Sequence, residues 1–419
     1  MNWPAYPEYK DSCVEWLDEC PAIWTAMPVK YLVTMASGSG ITSESIEEIG
    51  PYPVYGGNGR RGFASEFTHD GTRVLLGRQG ALCGNVHLVS GRYWASEHAI
   101  VVKPSRLASP RWLAYMFESM NLGQYSQSAA QPGIAADVIG NLRVPVPPLP
   151  VQNGIADFLD RETVKVDALI DKQNQLIATL REDRTATITR AVTKGLNPDA
   201  EMKDSGAVWL GRIPVHWTAT QLGRLCRSIS DGPHFSPSYV DEGVMFLSAR
   251  NIRPDRWSLD DAKFISEEDY REFSRRVVPQ VGDVLYTKGG TTGIARVVDI
   301  TDRFQVWVHV AVLKIRQEIV LPEFLAYSLN SAACYDQSQL YTRGATNNDL
   351  GLTRMVRIRL ALPPKEVQQE IVTHLNTVTA SIDALIVKAT EVISTLREYR
   401  SALIAATVTG RIDVRKAKA

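Results

Sequence analysis

Residues 151–193 and 367–409 are two copies of one segment, aligned without a gap at a constant separation of 216 residues. Val151, Gln152, Ile155 and Leu159 recur as Val367, Gln368, Ile371 and Leu375. Asp167-Ala168-Leu169-Ile170 recurs as Asp383-Ala384-Leu385-Ile386, and Thr179-Leu180-Arg181-Glu182 as Thr395-Leu396-Arg397-Glu398. Arg184, Ile188, Val192 and Thr193 recur as Arg400, Ile404, Val408 and Thr409. A second repeat, separated by 193 residues, matches Lys10-Asp11-Ser12, Trp16-Leu17, Pro21 and Trp24 to Lys203-Asp204-Ser205, Trp209-Leu210, Pro214 and Trp217. Each half therefore runs in one order: a short lead, a variable body and a shared long segment. Such self-similarity marks duplicated structural units, and it constrains the fold before any local reading begins.

The shared segments read as helices. Apolar residues recur at three- and four-residue steps, the period of one helical face. In the first copy Ile155, Leu159, Leu169, Ile170, Ile177, Leu180 and Ile188 carry the stripe, and in the second Ile371, Leu375, Ile382, Leu385, Ile386, Ile393, Leu396 and Ile404. Pro147-Pro148 and Pro363-Pro364 set the starts, and Gly195 and Gly410 supply the stops. A helix of roughly 40 residues is about 60 Å long. One apolar stripe that long needs a partner, and the matching stripe is its own repeat copy. These fifteen residues are the expected helix-pair interface. A pseudo-two-fold arrangement of similar halves makes the two helices antiparallel.

The bodies read as mixed α/β. Arg73–Gly77, Val86–Val89 and Ala99–Val102 are expected strands in the first, and Tyr52–Gly62 a turn-dense loop with a hairpin signal at Asn58-Gly59. In the second, Val244–Leu247, Asp283–Tyr286, Ile294–Val298, Val306–Val310 and Val312–Ile315 read as strands. Helices are expected at Pro110–Met120 and Pro322–Ser331. The fold class is α+β: two mixed α/β domains joined by two long antiparallel coiled-coil-like helices. The expected divisions are a first domain at 1–150, a helix at 151–195, a linker and repeat lead at 196–213, a second domain at 214–363, a helix at 364–410 and a tail at 411–419.

No run of eighteen apolar residues exists, so no membrane span is expected. Met1-Asn2-Trp3-Pro4 lacks the features of a secretory signal. Five scattered cysteines, none in CxxC spacing, argue against a disulfide framework or a zinc site and fit a reducing cytoplasm. Charge is balanced, with 46 basic and 46 acidic residues. A neutral chain that binds nucleic acid needs its charge arranged locally, or a partner to supply phosphate contacts.

Tyr52-Pro-Val-Tyr-Gly-Gly-Asn-Gly, Leu76-Gly-Arg-Gln-Gly-Ala, Trp94-Ala-Ser-Glu-His-Ala-Ile, Gly282-Asp-Val-Leu and Lys288-Gly-Gly-Thr-Thr-Gly resemble target-recognition-domain sequences. The family is the specificity subunits of type I restriction–modification systems. The pattern Pro-Leu-Pro-x-Gln-x-x-Ile-x-x-x-Leu at 148–159 and its copy from Pro364 are similar to that family's shared regions. Val151 and Val367 depart from the acidic residue usual before the glutamine. The resemblance implies a non-catalytic subunit whose two recognition domains each read half of a split double-stranded DNA target. It further implies that the helix pair fixes the unread spacer, that two methyltransferase subunits dock on the chain, and that restriction/translocase subunits join the complex.

Chemistry of the chain's own is not expected. No Asn/Asp-Pro-Pro-aromatic motif, P-loop or HExxH is present, and no cofactor or metal is expected. Pro198-Asp199-Ala200-Glu201-Met202-Lys203 resembles a metal-nuclease pattern, but its acids sit side by side in a linker. The expected DNA contacts are Arg60, Arg61, Arg78 and Gln79 in the first body, and Arg250, Asn251, Lys288, Thr291, Thr292 and Arg343 in the second. Arginine suits the guanine edge, and asparagine and glutamine suit adenine. The alternative is a non-catalytic scaffold with two ligand-binding domains on a helical rod.

Overall fold

The computed structural model describes residues 3–80, 82–126, 132–344 and 348–416. The chain divides into two units, one of Met1–Gln173 with Glu391–Ala419 and one of Asn174–Thr390. Each long helix passes from one unit to the other. They run Leu149–Lys194 and Lys365–Val408, 46 and 44 residues, somewhat longer than the periodicity alone indicates.

In the first unit, a four-stranded sheet is ordered Val33–Ser37, Ala99–Pro104, Arg73–Gly77, Val86–Val89. A second sheet is ordered Gly59–Ala64, Tyr52–Gly56, Arg92–Ala95, His69–Asp70, with Val54 and Tyr55 parallel to Trp94 and Ala95. Tyr52–Gly62, expected as a turn-dense loop with a hairpin signal, is a hairpin. Its strands flank a Gly57-Asn58 turn, and Gly59 takes the positive φ of 90° that closes it. Val74, Leu75 and Leu76 are all buried, because helix Pro110–Ser119 covers one face of their strand and the second sheet the other.

The second unit repeats this plan with different residues. One sheet is ordered Cys226–Asp231, Val310–Ile315, Val284–Thr287, Ala295–Val297. The other is ordered Tyr239–Val240, Lys263–Ile265, Val244–Leu247, Phe304–Val306, and it too contains one parallel pair, here the last rather than the middle one. The strand expected at Val306–Val310 is instead the end of one strand and the start of another, separated by a turn at Trp307. Helices Pro110–Ser119 and Pro322–Leu329 lie where expected, each with proline in its first turn.

Both leads are hairpins in one register. Tyr9 faces Pro21 and Asp11 faces Glu19; Met202 faces Pro214 and Asp204 faces Arg212. At the bend the first lead carries Cys13 at φ 51°, where the second carries Gly206 at φ 68°. A left-handed residue with a Cβ costs about 1–2 kcal/mol. Cys13→Gly is therefore expected to stabilise the first unit by roughly 1 kcal/mol after the entropy glycine loses is subtracted. Denaturant unfolding checks this; no gain would mean that the bend relaxes without strain.

The helix stops explain the duplicated Pro-x-x-Trp. Gly410 turns at φ 82° against Pro21 and Trp24, and Gly195 turns at φ 78° against Trp217 and Pro214. A Cβ at Gly410 would meet the Pro21 ring at 2.4 Å. Within each unit the start of one long helix joins the core that holds the end of the other. Ile155 and Leu159 cluster with Leu403, Ile404 and Val408 in the first, and Ile371 and Leu375 with Ile188 and Val192 in the second. The helices are therefore antiparallel.

Duplicated ion pairs fix their register. Arg184 Nε lies 3.0 Å from an Asp383 carboxylate oxygen, and Arg400 Nε lies 3.1 Å from Asp167. Of the expected interface, Ile155, Leu159, Ile188, Ile371, Leu375, Ile393 and Ile404 are buried, and Ile170, Ile177, Leu180, Ile382, Ile386 and Leu396 half-buried. Leu169 and Leu385 are a correction: they are 46% and 50% exposed. Their neighbours Ile170 and Ile386 turn toward the protein, and one helical position is about 100° of rotation.

Candidate DNA-recognition surface

A body can position base-reading side chains only if its loops are held on something rigid. Gln152 does this in the first unit. Its side-chain oxygen accepts from the Ser109 backbone N–H at 2.8 Å, and its amide donates to the Leu107 and Pro147 carbonyls. Gln368 repeats the bracket on Leu321, Ile319 and Pro363. Both amides are buried, so each bond forms without water as a competitor. Beside them Tyr115 donates to Asp160 at 2.7 Å, and Tyr327 donates to Asn376 at 2.8 Å. Each tyrosine ends the same tripeptide, Leu113-Ala114-Tyr115 and Leu325-Ala326-Tyr327, which thus clamps body to helix.

In the first body the Gly57-Asn58 turn packs on the end of strand Arg73–Gly77. A Cβ at Gly57 would lie 2.9 Å from the His98 carbonyl. Around it gather Asn58, bonded to Asn85; Gln79, whose oxygen is 3.3 Å from His98 Nδ1; and Arg78, which donates to the Ser37 hydroxyl at 2.9 Å. Arg60 and Arg61 are exposed on the hairpin's other strand, Arg60 stacked over Phe63. All four expected residues of this body thus fall on the hairpin or against its turn.

In the second body the expected residues part company. Arg250, Thr291 and Arg343 are exposed. Asn251 is buried, and its amide caps the Ala249–Asn251 turn: it accepts from the Ser248 N–H and donates to the Ser258 carbonyl, both at 2.8 Å. No edge of that amide remains for adenine. Thr292 is buried, and its hydroxyl accepts from Gln339 at 3.1 Å. Lys288 is 5% exposed between Asp231 and Asp349. These three corrections share a cause: polar residues on a turn that packs inward are spent on holding it.

No group of three or more His, Cys, Asp or Glu among the described residues could hold a metal. The segment Pro198–Lys203, expected to be a linker rather than a nuclease site, ends in Met202 and Lys203 at the start of a hairpin strand. Burial pushes the thiols of Cys226 and Cys334 up to about 12, which keeps them protonated and poorly nucleophilic. Burial also holds His309 below the usual histidine range, helped by Lys288 and opposed by Asp349. No helix of the described residues is long and apolar enough to cross a membrane.

A family described as the type I restriction modification DNA specificity domain matches this chain twice, at residues 21–180 and 215–394. The chain belongs to that family. Each specificity domain begins at the end of a lead hairpin and extends well into a long helix, so the family's unit spans body, clamp and seam. Over 134 residues, 31% of this chain and 33% of the relative, it is 42% identical to the EcoprrI specificity subunit of Escherichia coli. A putative specificity subunit of Haemophilus influenzae is 23% identical over 81% of this chain and 83% of its own. The MjaVIII specificity subunit of Methanocaldococcus jannaschii is 23% identical over 82% and 79%. A chain solved in work on assembly and conformational transition of the type I R-M system has a TM-score of 0.69 at 17% identity, covering 94% of this chain and 99% of its own. That likeness supports the fold.

Proposed function

We propose that this chain is the DNA sequence-specificity subunit of a type I restriction–modification complex and is itself non-catalytic. The observation that carries the reading is the paired match: two specificity domains, each clamped to a long helix by the same glutamine and tyrosine, with loops that differ. Each domain reads one half of a bipartite double-stranded DNA target, and the helix pair sets the spacer. In the first domain the contacts are drawn from Arg60, Arg61, Arg78 and Gln79, and in the second from Arg250, Thr291 and Arg343. A scaffold carrying two unrelated ligand sites has no observation in its favour. The reaction belongs to partners, two methyltransferase subunits and the restriction/translocase subunits, in a reducing cytoplasm that suits the free cysteines. Purified chain mixed with its cognate methyltransferase subunit should methylate adenine at a discontinuous site, and neither protein alone should. Methyl transfer by the chain alone would refute the reading.

The exposed leucines supply the docking surface for the methyltransferase subunits. Leu169 and Leu385 are repeat equivalents, as are Leu176 and Val392, which are 45% and 43% exposed. Four apolar side chains left open in duplicate suit two identical partners better than solvent. Leu169→Glu with Leu385→Glu should abolish co-purification of the methyltransferase subunit and leave the melting temperature of the free chain within about 1–2 °C, since neither residue is in the core. Full retention of the partner would move docking elsewhere.

A further inference from the structure

The two domains share a backbone station that their sequences conceal. Arg78 N–H donates to the His98 carbonyl at 2.9 Å, and Lys288 N–H donates to the His309 carbonyl at 2.8 Å. The carbonyl of Arg78 accepts from Ile134, and that of Lys288 from Leu350. Two residues on, Gly80 and Gly290 both turn with positive φ, 90° and 70°. Each cation thus leaves the same strand end, beside the same histidine, at the same turn.

What surrounds the two cations differs. Strand pairing aligns Ile100 with Ser37 and Ala311 with Asp231, so Ser37 and Asp231 are equivalent. The bridges Gln79 to Gly133 and Gly289 to Asp349 make Gly133 and Asp349 equivalent in turn. Lys288 Nζ therefore lies 3.3 Å from Asp231 and 3.0 Å from Asp349, at the two stations where the first domain has a serine and a glycine. Arg276 also pairs with Asp231, and Arg354 with Asp349. Lys288 is buried and neutralised, and its ammonium donates a further bond to the Val308 carbonyl. Arg78 is half-exposed and held by a neutral hydroxyl. A guanidinium tethered through one nitrogen keeps its other donors in a fixed fork, the form that suits a guanine edge or a phosphate.

We infer that Arg78 is a DNA-contacting, specificity-determining residue of the first domain, and that Lys288 at the equivalent station is a loop lock that never meets DNA. This rests on the proposed function. One scaffold position has been turned to opposite uses by two acidic substitutions around it. Ser37 is exposed at the strand end, so Ser37→Asp brings one acid of the second domain beside Arg78 without removing the arginine.

The test uses the chain with its cognate methyltransferase subunit, and a duplex bearing the motif that the wild-type complex methylates. Arg78→Gln and Ser37→Asp should each weaken binding by about 5- to 150-fold, the range of one lost bidentate contact. Relaxation at one position of the first half-site identifies a base edge. A uniform loss across sequences with a salt slope reduced by about 1 would mark a phosphate contact instead and overturn the specificity role. Both variants should melt within a degree or two of wild type, whereas Lys288→Met should lower the melting temperature and, where folded, leave the motif unchanged. Wild-type affinity in Arg78→Gln, or a changed second half-site in Lys288→Met, overturns the inference. Absence of any split motif for the wild-type complex would instead overturn the proposed function.

Discussion

Exchanging the first body, residues 21–147, for that of another family member is expected to change one half of the methylated motif and leave the other half intact. The reason lies in how each body is held. The cluster containing Trp24, Trp112 and Phe117 closes on Ile155, Leu159 and Leu403, while the second unit builds its own cluster on Ile188, Ile371 and Leu375. The clamp that a graft must satisfy is small: backbone groups near Ser109 for Gln152, and a tyrosine for Asp160. With clamp and seam retained, the loops change and the second body is untouched. At about 1–3 kcal/mol per mismatched base pair, three changed positions cost the old half-site a hundredfold or more. Sequencing that detects methyladenine reads the outcome. A simultaneous change in both halves would defeat the two-reader account.

Matched four-residue insertions after Gln173 and after Thr390 are expected to lengthen the unread spacer by one or two base pairs. These points lie where both helices pass from one unit to the other, one residue away from exact repeat equivalence. Four residues add about one turn and about 6 Å, and keep each stripe near its original face. Ten base pairs of DNA rise roughly 34 Å, so 6 Å is between one and two base pairs. Insertion after Arg184 would be worse placed, because it separates the Asp383 ion pair from Ile188 within one unit. A two-residue insertion rotates the stripe by about 200° and should abolish activity. An active four-residue variant with an unchanged spacer would show that the helices do not measure it.

Much of the architecture was legible because the repeat is ungapped. The identities Arg184/Arg400 and Asp167/Asp383 are visible in the sequence, but their meaning is not. Arg184 pairs with Asp383 and Arg400 with Asp167, a crossed pattern that exists only once the helices run antiparallel. Identity alone misplaced Leu169 and Leu385, because a residue repeated for an exposed face looks the same as one repeated for a core. In the bodies the signal was weaker. Residue type pointed equally to Arg78 and Lys288, and only strand register shows that Asp231 and Asp349 occupy the stations of Ser37 and Gly133. Asn251 and Thr292 misled for a similar reason: a turn rich in polar residues reads as a surface, whether its amides and hydroxyls face water or cap the turn itself.

The central claim is that this chain supplies sequence specificity to a partner's methyl transfer. Mapping methyladenine across a genome that carries the methyltransferase partner, with and without this chain, tests it most directly. The account predicts a single motif of two fixed halves around an unread spacer, methylated only when both proteins are present. The same methylation in the absence of this chain, or a contiguous motif without a spacer in its presence, would contradict it.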